Sequence, residues 1–339
     1  MKQILISTLL SALAILLLPT GAAKQDNQPV YGAQPERVVT EAAEEAPITP
    51  SAAENAADEA QMQSVRLLYN GTILLLDEQD YLCGVLLCEM PVSFEEQAFC
   101  AQSVAARTFL RRQMRGGKHE SADVCADSSC CQAWADEAAL RQRFGEEYDA
   151  AYKKVLRAVT ATQDEVLTYN GALIDATYFS CSGGSTEDAV AVWGTDVPYL
   201  RAVQSDGEED APRYHAVVAL SPDELREKLA ASDEPLTLGN DPNQWLGAVN
   251  YTNGGGVETC VFGETAYSGT ALRRLLGLNA TRFTVSYTDE QFVFDVYGFG
   301  HRVGMSQYGA QHLAQEGWSY QQILAHYYTG AVVTSAHLE

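Results

Sequence analysis

A long apolar run at the amino terminus, and the polar tract behind it, confine any folded core of this chain to the later residues. The run occupies residues 4–19 and is interrupted only by three hydroxyl side chains. It is long for a signal-peptide core and short for a membrane span of about 20 residues, and residues 21–23 (GAA) offer a cleavage site. Residues 1–23 are therefore predicted to be a membrane anchor or a cleaved export signal. We favour the anchor, with Lys2 on the cytoplasmic side and the rest of the chain outside.

Residues 24–64 form a second segment that is rich in Ala, Glu, Pro and Gln and nearly devoid of aromatic side chains. Such a composition buries too little apolar area to offset the entropy of ordering, so we predict a disordered, acidic tether. The whole chain carries a net charge of -23. That charge argues against nucleic acid as a partner, because phosphate contacts need clustered Lys and Arg. One folded domain is expected over residues 65–335.

Two Asn-Gly pairs predict β-hairpins within this domain. Asn70-Gly71 separates the runs VRLLY and TILLL, and Asn170-Gly171 separates VLTY from ALI. Asn-Gly is the strongest short hairpin signal because both residues adopt positive φ readily. Residues 220–290 contain shorter amphipathic pieces without a chemical signal and are interpreted as scaffold.

Helices are predicted from capping and apolar spacing. Ser93 and Glu96 match a capping box ahead of a helix that should end at Gly116-Gly117, and Ser319 with Gln322 should cap the last helix. The predicted fold class is α+β, with short antiparallel strands and hairpins packed with several helices around one substrate cleft.

Glu89 is the leading catalytic candidate, because it stands between the apolar pair Leu86-Leu87 and Met90. Burial disfavours the carboxylate ion and raises the pKa of a carboxyl group, which allows a glutamic acid to act as a general acid near neutral pH. A helix amino terminus pointing at Glu89 would oppose this effect. The sequence leaves the balance between the two open.

Three further features carry weaker signals. Arg107 lies off the centre of the apolar stripe of its predicted helix, so it either faces the same cleft as Glu89 or is an ordinary exposed arginine. The glycine-rich loop of residues 180–186 (SCSGGST) either lets a ligand approach its backbone or forms a common turn. His301 lies in a second glycine-rich loop and either orients a substrate or is a structural histidine bonded to backbone.

A cluster of thiols and one imidazole predicts a metal site. His119, Cys125, Cys130 and Cys131 fall within thirteen residues, and zinc prefers tetrahedral nitrogen and sulfur ligands. A site closed by four protein ligands is structural, since it leaves no position for a reactive water. A disulfide between Cys125 and Cys131 is the competing interpretation. The other five cysteines are interpreted as buried small apolar residues.

Several motifs in a fixed order resemble the stage II sporulation protein D family over about residues 65–332. The motifs are residues 81–91 (YLCGVLLCEMP), 101–108 (AQSVAART), 182–186 (SGGST), 193–194 (WG), 197–201 (VPYLR), 272–278 (LRRLLGL) and 300–310 (GHRVGMSQYGA).

The resemblance implies a membrane-anchored lytic transglycosylase that cleaves peptidoglycan glycan strands during engulfment of the forespore. It also implies partners, namely an amidase that first strips the stem peptides and the membrane scaffold of the engulfment complex. Glu89 matches the catalytic glutamate of the family and Arg107 an arginine implicated in substrate binding. Cleft positions around the glycan are expected at Ser182, Thr186, Tyr199, His301 and Gln307.

Two positions depart from the family pattern. His119, Cys125 and Cys131 match zinc ligands of some members, in which a histidine stands where this chain has Cys130; three thiolates would give the zinc site a net charge of about -1. Arg302 stands where relatives usually have glycine.

Two alternatives to the single-glutamate enzyme stay open at this stage. A glycoside hydrolase would use a second carboxylate, for which Glu187 or Asp188 is a candidate. A non-enzymatic module that binds glycan and enhances an amidase would use Glu89 only for binding.

Overall fold

Short strands and helices alternate along residues 64–335, the part of the chain that the computed structural model describes. The fold is α+β, as predicted, with small and mostly antiparallel sheets. The helices are α1 (Glu78–Glu89), α2 (Glu96–Met114), α3 (Glu137–Phe144), α4 (Tyr148–Ala161), α5 (Ala189–Trp193), α6 (Pro222–Ala230), α7 (Gly269–Leu276), α8 (Gln307–Gln315) and α9 (Tyr320–Tyr327). The strands are β1 (Ser64–Tyr69), β2 (Thr72–Asp77), β3 (Val124–Cys125), β4 (Glu165–Tyr169), β5 (Ala172–Leu173), β6 (Tyr178–Phe179), β7 (Gly184–Ser185), β8 (Gln204–Ser205), β9 (His215–Leu220), β10 (Leu246–Tyr251), β11 (Val257–Phe262), β12 (Thr265–Ser268), β13 (Arg282–Thr288), β14 (Gln291–Tyr297), β15 (Met305–Ser306) and β16 (Val332–Ser335).

Both predicted hairpins are confirmed. β1 and β2 pair in antiparallel register around Asn70 and Gly71, whose φ angles of 49° and 78° are those of a tight hairpin turn. β4 and β5 pair in the same way around the second Asn-Gly turn, and β16 joins the other edge of β4. The side chain of Asp77, at the end of β2, accepts a hydrogen bond from Gln79 and begins α1. The first hairpin therefore fixes where α1 starts.

Helix α2 is central to the larger hydrophobic core and packs against α1, α4, α8 and α9. The predicted capping box at Ser93 is wrong: α2 begins at Glu96, and its N-cap Glu95 has no side-chain capping bond. The backbone N–H of Glu95 instead donates to the side chain of Gln311 on α8, at 2.6 Å. A tertiary contact has replaced the local one. The predicted end before Gly116 and the capping box of Ser319 with Gln322 are both confirmed.

Residues 215–296 build a second, smaller core from the sheets β10-β11-β12 and β13-β14-β9 with α6 and α7. Its largest buried side chains include Trp245, Phe262 and Phe292. This is the segment that the sequence predicted to be scaffold. The structure corrects that interpretation in one respect, because α7 also supplies a side chain to the groove described below.

Arg302 joins the two cores, and its backbone conformation explains why relatives usually have glycine at this position. Its φ of 66° lies in the left-handed region that favours glycine. The guanidinium is fully buried and lies 3.3 Å from Glu187, and it also donates to the carbonyl oxygens of Ser182 and Gly254. These bonds hold the strained backbone in place and tie residues 252–256 to both glycine-rich loops.

Within residues 64–335, no helix is both long enough and apolar enough to cross a membrane. The predicted anchor or signal (residues 1–23) lies outside the described residues. So does the predicted tether (24–64), except for Ser64, which begins β1.

Candidate active site

Glu89 is the last residue of α1 and projects, half-buried, into an open groove. One carboxylate oxygen accepts a hydrogen bond from the backbone N–H of Ala133 at 2.9 Å, and the other accepts from Nε2 of Gln307 at 3.2 Å. Burial raises the pKa of Glu89, and these two hydrogen bonds partly oppose that rise. The carboxyl-terminal end of α1 also disfavours a negative charge there. The structure thereby decides the balance that the sequence left open, in favour of a raised pKa.

The Ala133 amide reaches Glu89 because Trp134 packs directly on Gly84 of α1. A Cβ atom at position 84 would lie 2.6 Å from Cδ1 and 3.0 Å from Cε2 of the Trp134 indole, so only glycine fits. Tyr69 closes the other side of the indole with an edge-to-face contact at 5.1 Å. Gly84, which the sequence offered only as part of a motif, therefore positions a donor on the candidate catalytic carboxyl.

Tyr178 is a groove residue that sequence reasoning missed. Its hydroxyl accepts a hydrogen bond from Gln132, whose amide oxygen accepts from the buried Tyr81 hydroxyl; both distances are 2.8 Å. Burial, followed by the nearby Glu89, raises the pKa of Tyr178 well above its usual value. The Tyr178 hydroxyl therefore stays protonated and keeps its own proton to donate. No local motif marks it, since β6 is only two residues long.

The groove has a volume of about 1550 Å³ and brings together residues from distant parts of the chain. Glu89, Gln307, His301, Cys130 and Cys131 all line it, so five of the predicted site residues share one surface. Its wall also includes the indole of Trp193, which is 44% exposed. An exposed aromatic face and several polar groups along an open groove suit an elongated, polar ligand.

His301 lines the groove but has both ring nitrogens bonded to backbone. Nδ1 accepts from the N–H of Val303 at 3.1 Å, and the ring also donates to the Tyr178 backbone. Burial, and then the charge of Arg273, lower the pKa of His301 to about 4. The imidazole is neutral at physiological pH. It makes an edge-on contact with Phe179 and a tilted contact with Trp193, each with ring centroids 5.5 Å apart. Its ring nitrogens therefore bind the backbone of the loop, and its ring forms part of the groove wall.

Arg107 does not line the groove, which corrects the expectation that it faces the same cleft as Glu89. Its side chain is 2% exposed and donates to Glu78 at 3.0 Å and to the carbonyl oxygens of Val159, Thr162 and Glu165. Every nitrogen of the guanidinium is thus engaged within the larger core. The side of α2 that carries Arg107 packs against α4 and β4.

Ser182, Thr186 and Tyr199 are likewise placed behind the groove wall. Ser182 is fully buried and its hydroxyl lies 3.0 Å from Glu208, while the Thr186 hydroxyl accepts from the N–H of Val203 at 2.8 Å. The Tyr199 hydroxyl accepts from the N–H of Asp175 at 3.0 Å. Ser182 and Thr186 thus brace the loop of residues 180–186 from within, and Tyr199 holds the backbone at Asp175, so none of the three lines the groove.

Glu187 and Asp188 do not supply a second acid to the groove. Glu187 is 1% exposed and paired with Arg302, and Asp188 accepts a hydrogen bond from the N–H of Ala202 at 3.0 Å. Asp175, which the sequence did not single out, is the other carboxylate among the described residues that line the groove. It forms an ion pair with Arg112 at 3.8 Å.

The predicted metal ligands come together at the edge of the groove. The ligand atoms of His119, Cys125, Cys130 and Cys131 all lie within 4.8 Å of one another. Nε2 of His119 is 3.4 Å from Sγ of Cys131 and 3.7 Å from Sγ of Cys130, and the two sulfurs are 4.0 Å apart. Ligands at zinc bond lengths in a tetrahedron lie about 3.5–3.8 Å apart, so the donor set fits zinc. All the cysteines are free, so the competing disulfide is absent from the structure.

Comparison with known proteins places the chain among bacterial sporulation proteins. A family model described as stage II sporulation protein matches residues 70–169. Stage II sporulation protein D of Bacillus subtilis (strain 168) is 34% identical over 262 residues, which cover 76% of this chain and 74% of that protein. The corresponding protein of Bacillus amyloliquefaciens is also 34% identical, with the same coverage. The amidase enhancer of Bacillus subtilis (strain 168) is 27% identical, covering 75% of this chain and 40% of that protein. The chain belongs to the stage II sporulation protein D family, as its motifs predicted.

Proposed function

We propose that this protein is a lytic transglycosylase that cleaves peptide-stripped glycan strands of peptidoglycan, with Glu89 as the single acid and base. The observation that carries the proposal is the half-buried Glu89 carboxyl at the wall of an open groove of about 1550 Å³. Its raised pKa suits a group that must be protonated at the start of the reaction.

The reaction needs one carboxyl group to take part in two proton transfers. Protonated Glu89 donates to the glycosidic oxygen as the bond from that oxygen to the anomeric carbon breaks. The carboxylate then takes the proton of the muramic acid 6-hydroxyl as its oxygen bonds to the anomeric carbon, which yields a 1,6-anhydro sugar. Ala133 and Gln307 stabilise the transient carboxylate through their hydrogen bonds, and burial favours its reprotonation. No water is consumed, so the reaction needs no second carboxylate to activate one.

Zinc is proposed as a structural ion held by His119, Cys125, Cys130 and Cys131. These four ligands leave no coordination position for a reactive water, so the ion would crosslink the loop that leads to Ala133. Mass spectrometry of the purified, reduced and folded protein should find about one zinc per chain. A ratio near zero would overturn the metal assignment.

The cellular setting is proposed from the same sequence. An amino-terminal anchor would make this a single-pass membrane protein with the catalytic domain outside the cytoplasm. Its partners would be glycan strands, the sporulation amidase that strips stem peptides, and the membrane scaffold of the engulfment complex in the sporulating cell.

The test is cleavage of purified, peptide-free glycan strands by the purified protein, with products analysed for 1,6-anhydro ends. The wild-type protein should form them, and Glu89→Gln should not, since an amide cannot deliver the proton. Thermal unfolding of the variant checks that the fold is retained. Undiminished 1,6-anhydro products from Glu89→Gln would remove Glu89 from the mechanism.

The amidase-enhancer relative supports a second candidate function, in which the domain binds glycan and accelerates an amidase without cutting the strand. An enhancer would leave peptide-free strands intact and speed peptide release by an added amidase. It would need no proton from Glu89, so Glu89→Gln would change the enhancement only as far as it changes glycan binding.

A further inference from the structure

The groove is rich in cationic side chains although the protein as a whole is strongly acidic. The sequence has 22 Lys and Arg against 45 Asp and Glu. Among the described residues that line the groove this ratio is reversed, with Glu89 and Asp175 facing four cationic residues, which are Arg112, Arg115, Lys118 and Arg273. A local excess of positive charge on an acidic protein favours a ligand that carries negative charge.

Arg273 differs from the other cations of the groove in its surroundings. Arg112 has Asp175 beside it, and Lys118 donates to the carbonyl oxygen of Cys130 at 2.6 Å. The Arg273 guanidinium donates through Nε to the carbonyl oxygen of Asn279 at 3.2 Å. No carboxylate of residues 64–335 forms an ion pair with it within 4.0 Å, and its side chain lines the groove.

This arrangement is costly unless an anion is bound. Arg273 is half-buried on α7, next to Leu272 in the second core, and burial lowers its pKa. The three more deeply buried arginines among the described residues all have acidic partners: Arg107 and Arg111 pair with Glu78, and Arg302 pairs with Glu187. A desolvated guanidinium with free Nη donors matches the two oxygens of a carboxylate.

The proposed substrate carries such a group only in one state. In a strand that bears stem peptides, the lactyl carboxyl of each muramyl sugar is tied up in an amide. Removal of the peptide leaves a free carboxylate on the sugar. We infer that Arg273 binds this muramyl carboxylate and thereby selects peptide-stripped strands over strands that still carry peptides. The inference rests on the proposed function for the identity of the strand.

Binding tests the inference separately from cleavage. Full-length protein carrying Glu89→Gln would be titrated with peptide-free strands and with the same strands after conversion of their carboxyl groups to neutral methylamides. The carboxylate strands should bind about 10- to 100-fold more tightly, as expected for charge-assisted hydrogen bonds. Adding Arg273→Gln should abolish that preference by weakening binding of the carboxylate strands alone.

The neighbouring arginine provides a matched control. Arg274 is exposed, lies on the same helix and does not line the groove, so Arg274→Gln removes the same charge and should leave the preference intact. In the catalytically active protein, Arg273→Gln should raise KM for carboxylate strands by a similar factor with kcat little changed. Should Arg273→Gln fail to fold, Arg273→Lys serves instead, since it keeps the charge but loses the planar fork and should show a reduced preference.

Equal affinity for carboxylate and methylamide strands would overturn the inference, as would an Arg273→Gln variant that weakens both equally. The two proposals fail in different ways. Discrimination in binding without any 1,6-anhydro product from the wild-type protein would remove the transglycosylase and leave Arg273 as a glycan-recognition residue. Cleavage of both strand types at equal rates would remove the role of Arg273 alone.

Discussion

Gly84→Ala tests how the candidate catalytic carboxyl receives its backbone hydrogen bond. The added methyl group would overlap the Trp134 indole, whose Cδ1 and Cε2 lie 2.6 and 3.0 Å from the ideal Cβ position. Overpacking of this kind costs about 1–3 kcal/mol, and replacing a helical glycine with alanine returns about 1 kcal/mol. The net loss of stability should therefore be about 0–2 kcal/mol, so the variant should fold.

The activity should fall more than the stability. Displacing the Trp134 indole is expected to shift its chain neighbour Ala133, whose N–H lies 2.9 Å from the Glu89 carboxyl. A hydrogen bond to a charged group contributes about 1.5–3 kcal/mol, which corresponds to a drop in kcat of about 10- to 150-fold. Initial rates of 1,6-anhydro product formation would measure it, alongside thermal unfolding and zinc content, both of which should change little.

Two variants make this test specific. Gly239→Ala introduces the same methyl group where no atom lies within 4 Å and should leave the rate unchanged. Trp134→Phe in the Gly84→Ala background shrinks the ring at the point of overlap and loses no hydrogen bond, because Nε1 of Trp134 has no partner. It should restore part of the activity. Full activity in Gly84→Ala, with its fold and zinc intact, would refute the view that Trp134 positions the Ala133 donor.

Three other perturbations have defined outcomes. Arg107→Met should destabilise the protein by about 3–5 kcal/mol, because it leaves Arg111 as the one arginine paired with Glu78 and removes the donor from the carbonyl oxygens of Val159 and Thr162. A raised KM in a protein of normal thermal stability would contradict this structural role. Asp175→Asn should still form 1,6-anhydro products, whereas loss of all cleavage would indicate a second essential carboxyl. The pKa of Glu89 is raised in the folded state, so the protonated carboxyl stabilises the fold. This contribution is complete at low pH and is lost as the pH rises above 4.5, the ordinary pKa of a glutamic acid. The thermal stability of Glu89→Gln relative to wild type should therefore increase as the pH is raised from 4 to 7. A difference in stability that stays constant across that range would refute the raised pKa.

The position of Glu89 at the end of α1 shows how far sequence reasoning reached within the candidate site. The apolar neighbours Leu86 and Met90 indicated burial as a cause that could raise the pKa of the carboxyl, and only the structure decided that this cause prevails. The two donors to it come from residues 44 and 218 positions away. Gln307 could be assigned to the site from its motif, but Ala133 could not, because a backbone amide leaves no mark in the sequence.

For Arg107 and Arg273 the expectation from sequence was wrong in opposite ways. Arg107 stands in a recognisable motif and on the edge of an apolar stripe, which suggested a cleft residue, yet its guanidinium is bonded throughout within the core. Arg273 lies in a segment interpreted as scaffold, yet it lines the groove. In both cases the destination of the side chain depends on how α2 and α7 pack against elements far away in the chain.

The sequence by itself determined those features whose partners are neighbours along the chain. The Asn-Gly hairpins, the capping box of Ser319 and the His-Cys cluster all form between residues a few positions apart, so local geometry and residue type decide them. Only the tertiary structure decided which groups meet across the groove and where α2 begins. Those contacts depend on the packing of distant helices and strands, and there a competing tertiary bond such as that of Gln311 replaces the local cap that the sequence offered.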